Sequence, residues 1–134
     1  RSISIVVPCD PADGSINLYL RSTRKGGGHF KPPRLVKFRA TLAKAWASAA
    51  NGEALRGRLV LSIACYYKRR SHVDPDILDL ALGDADSPIK AIQDSIADAG
   101  IIVDDVVIVR VESEKFLDPK RPRVEATLTV RAHG

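Results

Sequence analysis

At 134 residues the chain suits one compact domain, and an apolar content of 45% is enough to build a core, which excludes wholesale disorder. No apolar run approaches the ~20 residues that span a bilayer, and the first residues lack the pattern of a secretory leader, so the expected setting is the cytoplasm or nucleoid and no membrane partner is expected. A net charge of +5 points instead to an anionic partner such as nucleic acid.

Ser2 to Val7 alternates and then runs apolar, which predicts a first strand ending at Pro8. From Cys9 to Pro33 the composition turns to Gly, Pro, Asp and Ser, the signature of a long loop. Within it Arg21, Arg24 and Lys25 precede Gly26-Gly27-Gly28, joining positive charge to backbone freedom. A solvated connection and a substrate-contacting loop are both compatible with that composition. Leu35, Phe38, Leu42, Trp46 and Ala49 then recur at helical spacing, with Asn51-Gly52 as the stop. Arg34, Lys37 and Lys44 fall on another face of that helix, as a solvated basic stripe would.

Gly57 to Tyr67 reads as a second strand with Leu59, Leu61, Ile63 and Cys65 on one face. Ser87-Pro88 is an N-cap followed by proline at the first helical position. Ile89, Ile92 and Ile96 form the buried stripe of this second helix, which Gly100 closes. Val106 to Val111 is apolar on both faces, which predicts a central strand. Val124, Ala126, Leu128 and Val130 alternate with polar residues as in a half-exposed strand. The linker from Asp118 to Pro122 most simply joins these last two strands as a hairpin. The order β, loop, α, β, acidic segment, α, β, β predicts an α/β (α+β) fold. It is a single two-layer domain over residues 1–134, a mixed β-sheet packed against two main helices. Cys9 and Cys65 both sit in apolar, strand-like surroundings and read as small buried hydrophobes rather than as a disulfide or metal ligands. The three histidines are scattered, so zinc chemistry has little support.

The charge is distributed unevenly. The window from Asp74 to Asp105 holds nine Asp and one Lys, leaving 20 basic and 7 acidic residues over the other 102 positions. Asp74-Pro75-Asp76 follows the strand that ends near Tyr67. Proline drives the residue before it into an extended conformation, and side chains two apart in an extended segment point the same way, so Asp74 and Asp76 can converge on one ion. Asp104-Asp105 sits where the second helix hands over to the strand at Val106. If that strand neighbours the one ending at Tyr67, the two acidic corners can meet. Convergent carboxylates with few basic neighbours suit Mg²⁺, with Mn²⁺ as a substitute, because such ions take a few oxygen ligands and leave positions for water and phosphate. Lys90, one turn into the second helix, is placed to neutralise charge that develops on a phosphoryl group. Asp84, Asp86 and Asp98 read as turn or helix-end residues rather than ligands. From Asp74 an EF-hand fails, because its sixth position is Asp79 and its twelfth Ala85.

These residues resemble the RusA family of Holliday junction resolvases. The resemblance is carried by Lys68-Arg69-Arg70-Ser-His-Val-Asp74-Pro75-Asp76, by Lys90-Ala-Ile-Gln-Asp94, and by Ala99-Gly100-Ile-Ile-Val-Asp104-Asp105. Val7-Pro8-Cys9-Asp10-Pro11 with Asn17-Leu18-Tyr19 looks, more loosely, like the family's proline-rich opening turn. The resemblance implies metal binding by Asp74, Asp76 and Asp105 and an important role for Lys90. It also implies a homodimer that cuts two strands of a branched DNA, in a bacterial or phage-derived setting. Two departures stand out: Ile77 occupies the position where the family has Asn, and Ile77 to Asp86 lengthens the path from Asp76 to Lys90 by about ten residues.

The leading expectation is a Mg²⁺-dependent, structure-selective endodeoxyribonuclease acting at four-way junctions. Asp94 and Asp104 would support the metal ligands from behind. Lys68, Arg69 and Arg70, with Arg21, Arg24 and Lys25, would grip phosphates without reading sequence. A catalytically weakened DNA-binding module on the same scaffold is the first alternative, a small hydrolase acting on nucleotides the second. The basic surplus outside the acidic window favours a polyanionic substrate over a small one.

Overall fold

In a computed structural model the described residues are 1–15, 32–68, 87–102 and 108–131. They form β1 (Ser2–Pro8), a 3-10 turn (Pro11–Gly14), α1 (Pro33–Ala50), β2 (Leu59–Tyr67), α2 (Ile89–Ala99), β3 (Ile108–Leu117) and β4 (Arg123–Val130). The strands make a mixed four-stranded sheet in the order β1-β4-β2-β3, and with the two helices this is an α+β fold. β4 runs antiparallel to both β1 and β2, whereas β2 and β3 are parallel.

The side-chain period of each strand decides which face of the sheet is covered. Ile3, Ile5 and Val7 of β1, Leu59 to Tyr67 at every second position of β2, and Val124, Ala126 and Leu128 of β4 are all buried. They share one core with Leu35, Phe38, Leu42 and Trp46 of α1 and with Ile92 and Ile96 of α2. The intervening positions are open, and Val6 is 63% exposed. Gly14 is required by packing, because a Cβ there would lie 2.3 Å from the Phe38 ring.

Helix ends follow the sequence signals closely. Asn51 adopts the left-handed conformation (φ 52°) that ends α1, and Gly100 (φ 68°) does the same for α2. The buried stripe of α1 finishes on Ala50 rather than Ala49, which is exposed. α2 starts at Ile89, one residue beyond the proline predicted to open it, but Ser87 Oγ still accepts a hydrogen bond from the Ile89 N–H at 3.3 Å.

Two expectations are overturned by the sheet order. The strand expected to be central, β3, is at the edge of the sheet among the described residues; Val109 is 46% exposed and no residue of the strand is fully buried. It also runs on to Leu117 through Arg110, Glu112, Glu114 and Lys115, since backbone pairing needs no apolar side chains and charge protects an edge. β3 and β4 do not pair as a hairpin, because β2 lies between them. The link from Asp118 to Pro122 therefore crosses the end of β2, where the Asp118 N–H donates to Tyr67 O at 2.9 Å.

Candidate functional site

The carboxyl end of β2 is where the four strands bring chemistry together. Pro8 stands opposite Arg123, Arg123 opposite Tyr66, and Tyr66 opposite Phe116, one row across the whole sheet on its open face. The Arg123 guanidinium lies 3.6 Å from the centre of the Tyr66 ring, and Tyr66 stacks on Phe116 with centroids 4.8 Å apart. Arg123 is held on its other edges by Glu125, 2.6 Å from Nε, and by Asp118, 2.9 Å from a terminal nitrogen. The hydrogen bond from Arg123 holds the Asp118 carboxyl below the usual carboxylate range, and Glu125 and Asp118 together push the guanidinium further up.

Lys68 follows directly on β2 and is exposed at this end of the sheet. Beside it the crossing link presents Lys120 and Arg121, also exposed. Lys68, Lys120, Arg121 and Arg123 line one cleft with Val6, Pro8 and Asp10. Lys120 and Arg121 are absent from the sequence assignment; their signal was the basic pair between Pro119 and Pro122, which reads as an ordinary hairpin loop until the sheet order is known.

α2 is the crossover between the parallel strands. Its far end is fixed near the start of β2, where Leu55 N–H donates to Ile101 O at 2.7 Å and Leu55 bridges Ile102. Its first turn carries Lys90, whose side chain is 52% exposed, with Nζ 3.8 Å from the Asp94 carboxylate one turn on. Asp94 lies equally close to Arg39 of α1, at 3.9 Å. Arg39 reaches further to Asp98 with three contacts of 2.9 to 3.2 Å, a forked grip that ties α1 to α2. Asp98 thus serves the packing of α2 against α1. Asp94 sits between two cations, one on each helix.

The parallel pairing fixes a constraint on the acidic residues. Tyr67 is opposite Leu117 and Leu59 is opposite Ile108. The chain therefore leaves β2 for Asp74 and Asp76 at one end of the strand pair and enters β3 from Asp105 at the other, roughly 26 Å apart for nine residues at strand rise. Asp74, Asp76, Asp104, Asp105, Arg69, Arg70, Arg21, Arg24 and Lys25 themselves lie outside the described residues. Among the described residues no three potential ligands gather into a metal site, and no helix is long and apolar enough to cross a membrane.

Cys9 and Cys65 are free thiols at the same end of the sheet. Burial pushes both up to about 12, so neither is a nucleophile at neutral pH.

No protein of curated function matches the chain. A family model described as Endodeoxyribonuclease RusA matches residues 13–129, from the 3-10 turn almost to the end of β4, including Lys68, Asp74, Asp76, Lys90, Asp94, Asp105 and Arg123. The chain belongs to the RusA endodeoxyribonuclease family, whose members act on branched DNA junctions.

Proposed function

We propose that this endodeoxyribonuclease resolves four-way DNA junctions in a reaction that depends on Mg²⁺, working as a homodimer so that two sites cut two strands symmetrically. The family match across residues 13–129 carries the reading. The donor set supports the metal: three carboxylates, Asp74, Asp76 and Asp105, offer the hard oxygen ligands that Mg²⁺ or Mn²⁺ prefers, with no thiol or imidazole among them. A divalent cation held there would polarise the scissile phosphodiester and make the attacking water more acidic.

Covalent reach permits one shared site. Seven residues from Tyr67 to Asp74 cover at most ~24 Å, and three from Ile108 back to Asp105 cover ~10 Å. Together these exceed the roughly 26 Å between the two strand ends. The chain's own residues then divide the work. Lys90 stabilises negative charge on the phosphoryl oxygens, held in direction by Asp94 at 3.8 Å. Lys68, with Arg69, Arg70, Arg21, Arg24 and Lys25, positions the DNA through its phosphates. Asp104 supports the ligand beside it. A two-fold dimer matches a nearly two-fold junction.

One observation favours a second reading. Ile77 replaces the amide expected after Asp76, and the ten-residue stretch from Ile77 to Asp86 separates the first carboxylates from Lys90. A DNA-binding relative with a weakened site would bind junctions without cutting them.

Competition tests the choice of substrate. A labelled four-way junction is incubated with the protein and Mg²⁺, with unlabelled junction, linear duplex or mononucleotide added in excess. Inhibition by junction alone is the expected result. Turnover of the mononucleotide itself would contradict it.

A further inference from the structure

Three exposed cations that have no carboxylate partner among the described residues gather in one place. Arg1, Arg39, Arg110 and Arg123 each have a carboxylate partner in Glu53, Asp98, Glu112 and Asp118. Lys68, Lys120 and Arg121 have none among the described residues, and all three line the cleft at the end of β2. Three like charges side by side repel one another, a cost that an anionic ligand would remove.

The cleft is also built to present those charges. Its volume is about 450 Å³, more than an ion needs and within the range that organic ligands fill. The Lys120–Arg121 pair is pinned on both sides: Asp118 N–H donates to Tyr67 O at 2.9 Å, Arg121 N–H to Asp118 Oδ1 at 3.2 Å, and Cys9 N–H to Pro122 O at 3.3 Å. Pro119 and Pro122 stiffen the same link. Little backbone freedom would be lost on binding. The one carboxylate lining the cleft, Asp10, is engaged with the Ala12 N–H at 3.0 Å. Val6 and Pro8 add an apolar floor, which suits a sugar rather than a bare ion.

We infer that this cleft seats the phosphodiester backbone of one DNA strand, with Lys68, Lys120 and Arg121 on its phosphates. Lys120 and Arg121 thereby join the nucleic-acid interface from a link between strands that sequence position separates from the other basic clusters. This rests on the junction-nuclease reading and deepens it. A strand held here lies where the chain leaves β2 toward Asp74 and Asp76.

The test is equilibrium binding to a labelled four-way junction between 50 and 200 mM salt, in EDTA and again in Ca²⁺. Wild type is compared with a Lys120→Ala/Arg121→Ala variant and with Lys37→Ala/Lys44→Ala, which removes the same charge from the exposed face of α1. Losing two phosphate contacts should flatten the salt slope by roughly 1.8, so the affinity gap to wild type should narrow by about 12-fold over that fourfold salt range. Thermal melting of each variant shows that it is folded. An unchanged slope for the cleft variant, or an equal change in the α1 control, would overturn the assignment while leaving junction binding intact. Wild type that binds no junction in either condition would remove the nuclease reading, and this one with it.

Discussion

Lys68 and Ile108 stand at opposite ends of the parallel β2–β3 pair, because Tyr67 faces Leu117 and Leu59 faces Ile108. The chain leaves β2 at one end of this pair and enters β3 at the other, so the proposed metal site shared by Asp76 and Asp105 would draw on both ends. Asp76→Asn and Asp105→Asn should each lower junction cleavage by about 10³-fold, the scale of several kcal/mol lost at the reacting phosphate. If the two ligate one ion, the double variant should be no worse than either single one. Multiplicative losses in that cycle would mean separate sites.

Lys90 offers a separation of chemistry from stability. Its pair with Asp94 is exposed on the helix surface and in the weaker order, with the cation N-terminal to the anion, so it contributes at most ~0.3–0.5 kcal/mol. Lys90→Ala should shift Tm by less than ~3 °C. Cleavage should nevertheless fall by about 10²-fold if the ammonium acts on the phosphoryl group. Equal activity with an equal Tm would assign Lys90 to the solvated surface.

Arg39 is the tie between the helices. Its side chain is 18% exposed and grips Asp98 with two nitrogens, so Arg39→Ala removes packing as well as charge. Asp98 is 42% exposed, which discounts the ionic part. The expected cost is ~1 kcal/mol in denaturant unfolding. Arg39→Lys should recover less than half, because an ammonium cannot reproduce the fork. Full recovery would make charge alone responsible.

Much of this frame was legible in the sequence, and the reasons for the gaps are physical. The period-2 pattern of β1 and β2 and the helical spacing of Leu35, Phe38, Leu42 and Trp46 report burial directly, so the covered faces came out as expected. Asn51 and Gly100 announced their helix ends because few residues tolerate positive φ. Sheet order is different. It depends on which strand edges meet, and no local pattern in β3 records that its neighbour is β2 rather than β4. The same omission hid the cleft, since Lys120 and Arg121 come beside Lys68 only when the link crosses the end of β2. The carboxylate signal at Asp74, Asp76 and the Asp104-Asp105 pair came from their types and spacing, the choice of Asp105 from the family resemblance, and these positions lie outside the described residues.

The two thiols, Cys65 buried and Cys9 partly so, give a pH signature. Burial raises Cys9 and Cys65 to about 12, above the ~8.5 of a free thiol, so the folded state holds these protons more tightly than the unfolded chain. Their contribution to stability is complete below ~8.5 and is lost as pH climbs toward 12. Denaturant unfolding from pH 8 to 11 should show a steady fall, smaller in a Cys9→Ala/Cys65→Ala variant. At pH 8.5 the native thiols should alkylate about a thousandfold more slowly than in denaturant. Rapid labelling of the folded protein would refute the burial argument.

Metal-dependent cutting at a branch is the central claim, and one assay reaches it most directly. A four-way junction labelled on each strand in turn is incubated with Mg²⁺ or with EDTA, using wild type and Asp76→Asn. Paired nicks at symmetric positions near the branch, present only with Mg²⁺ and lost in the variant, are the predicted result. Cleavage that persists in EDTA, or binding with no cleavage in either Mg²⁺ or Mn²⁺, would contradict it.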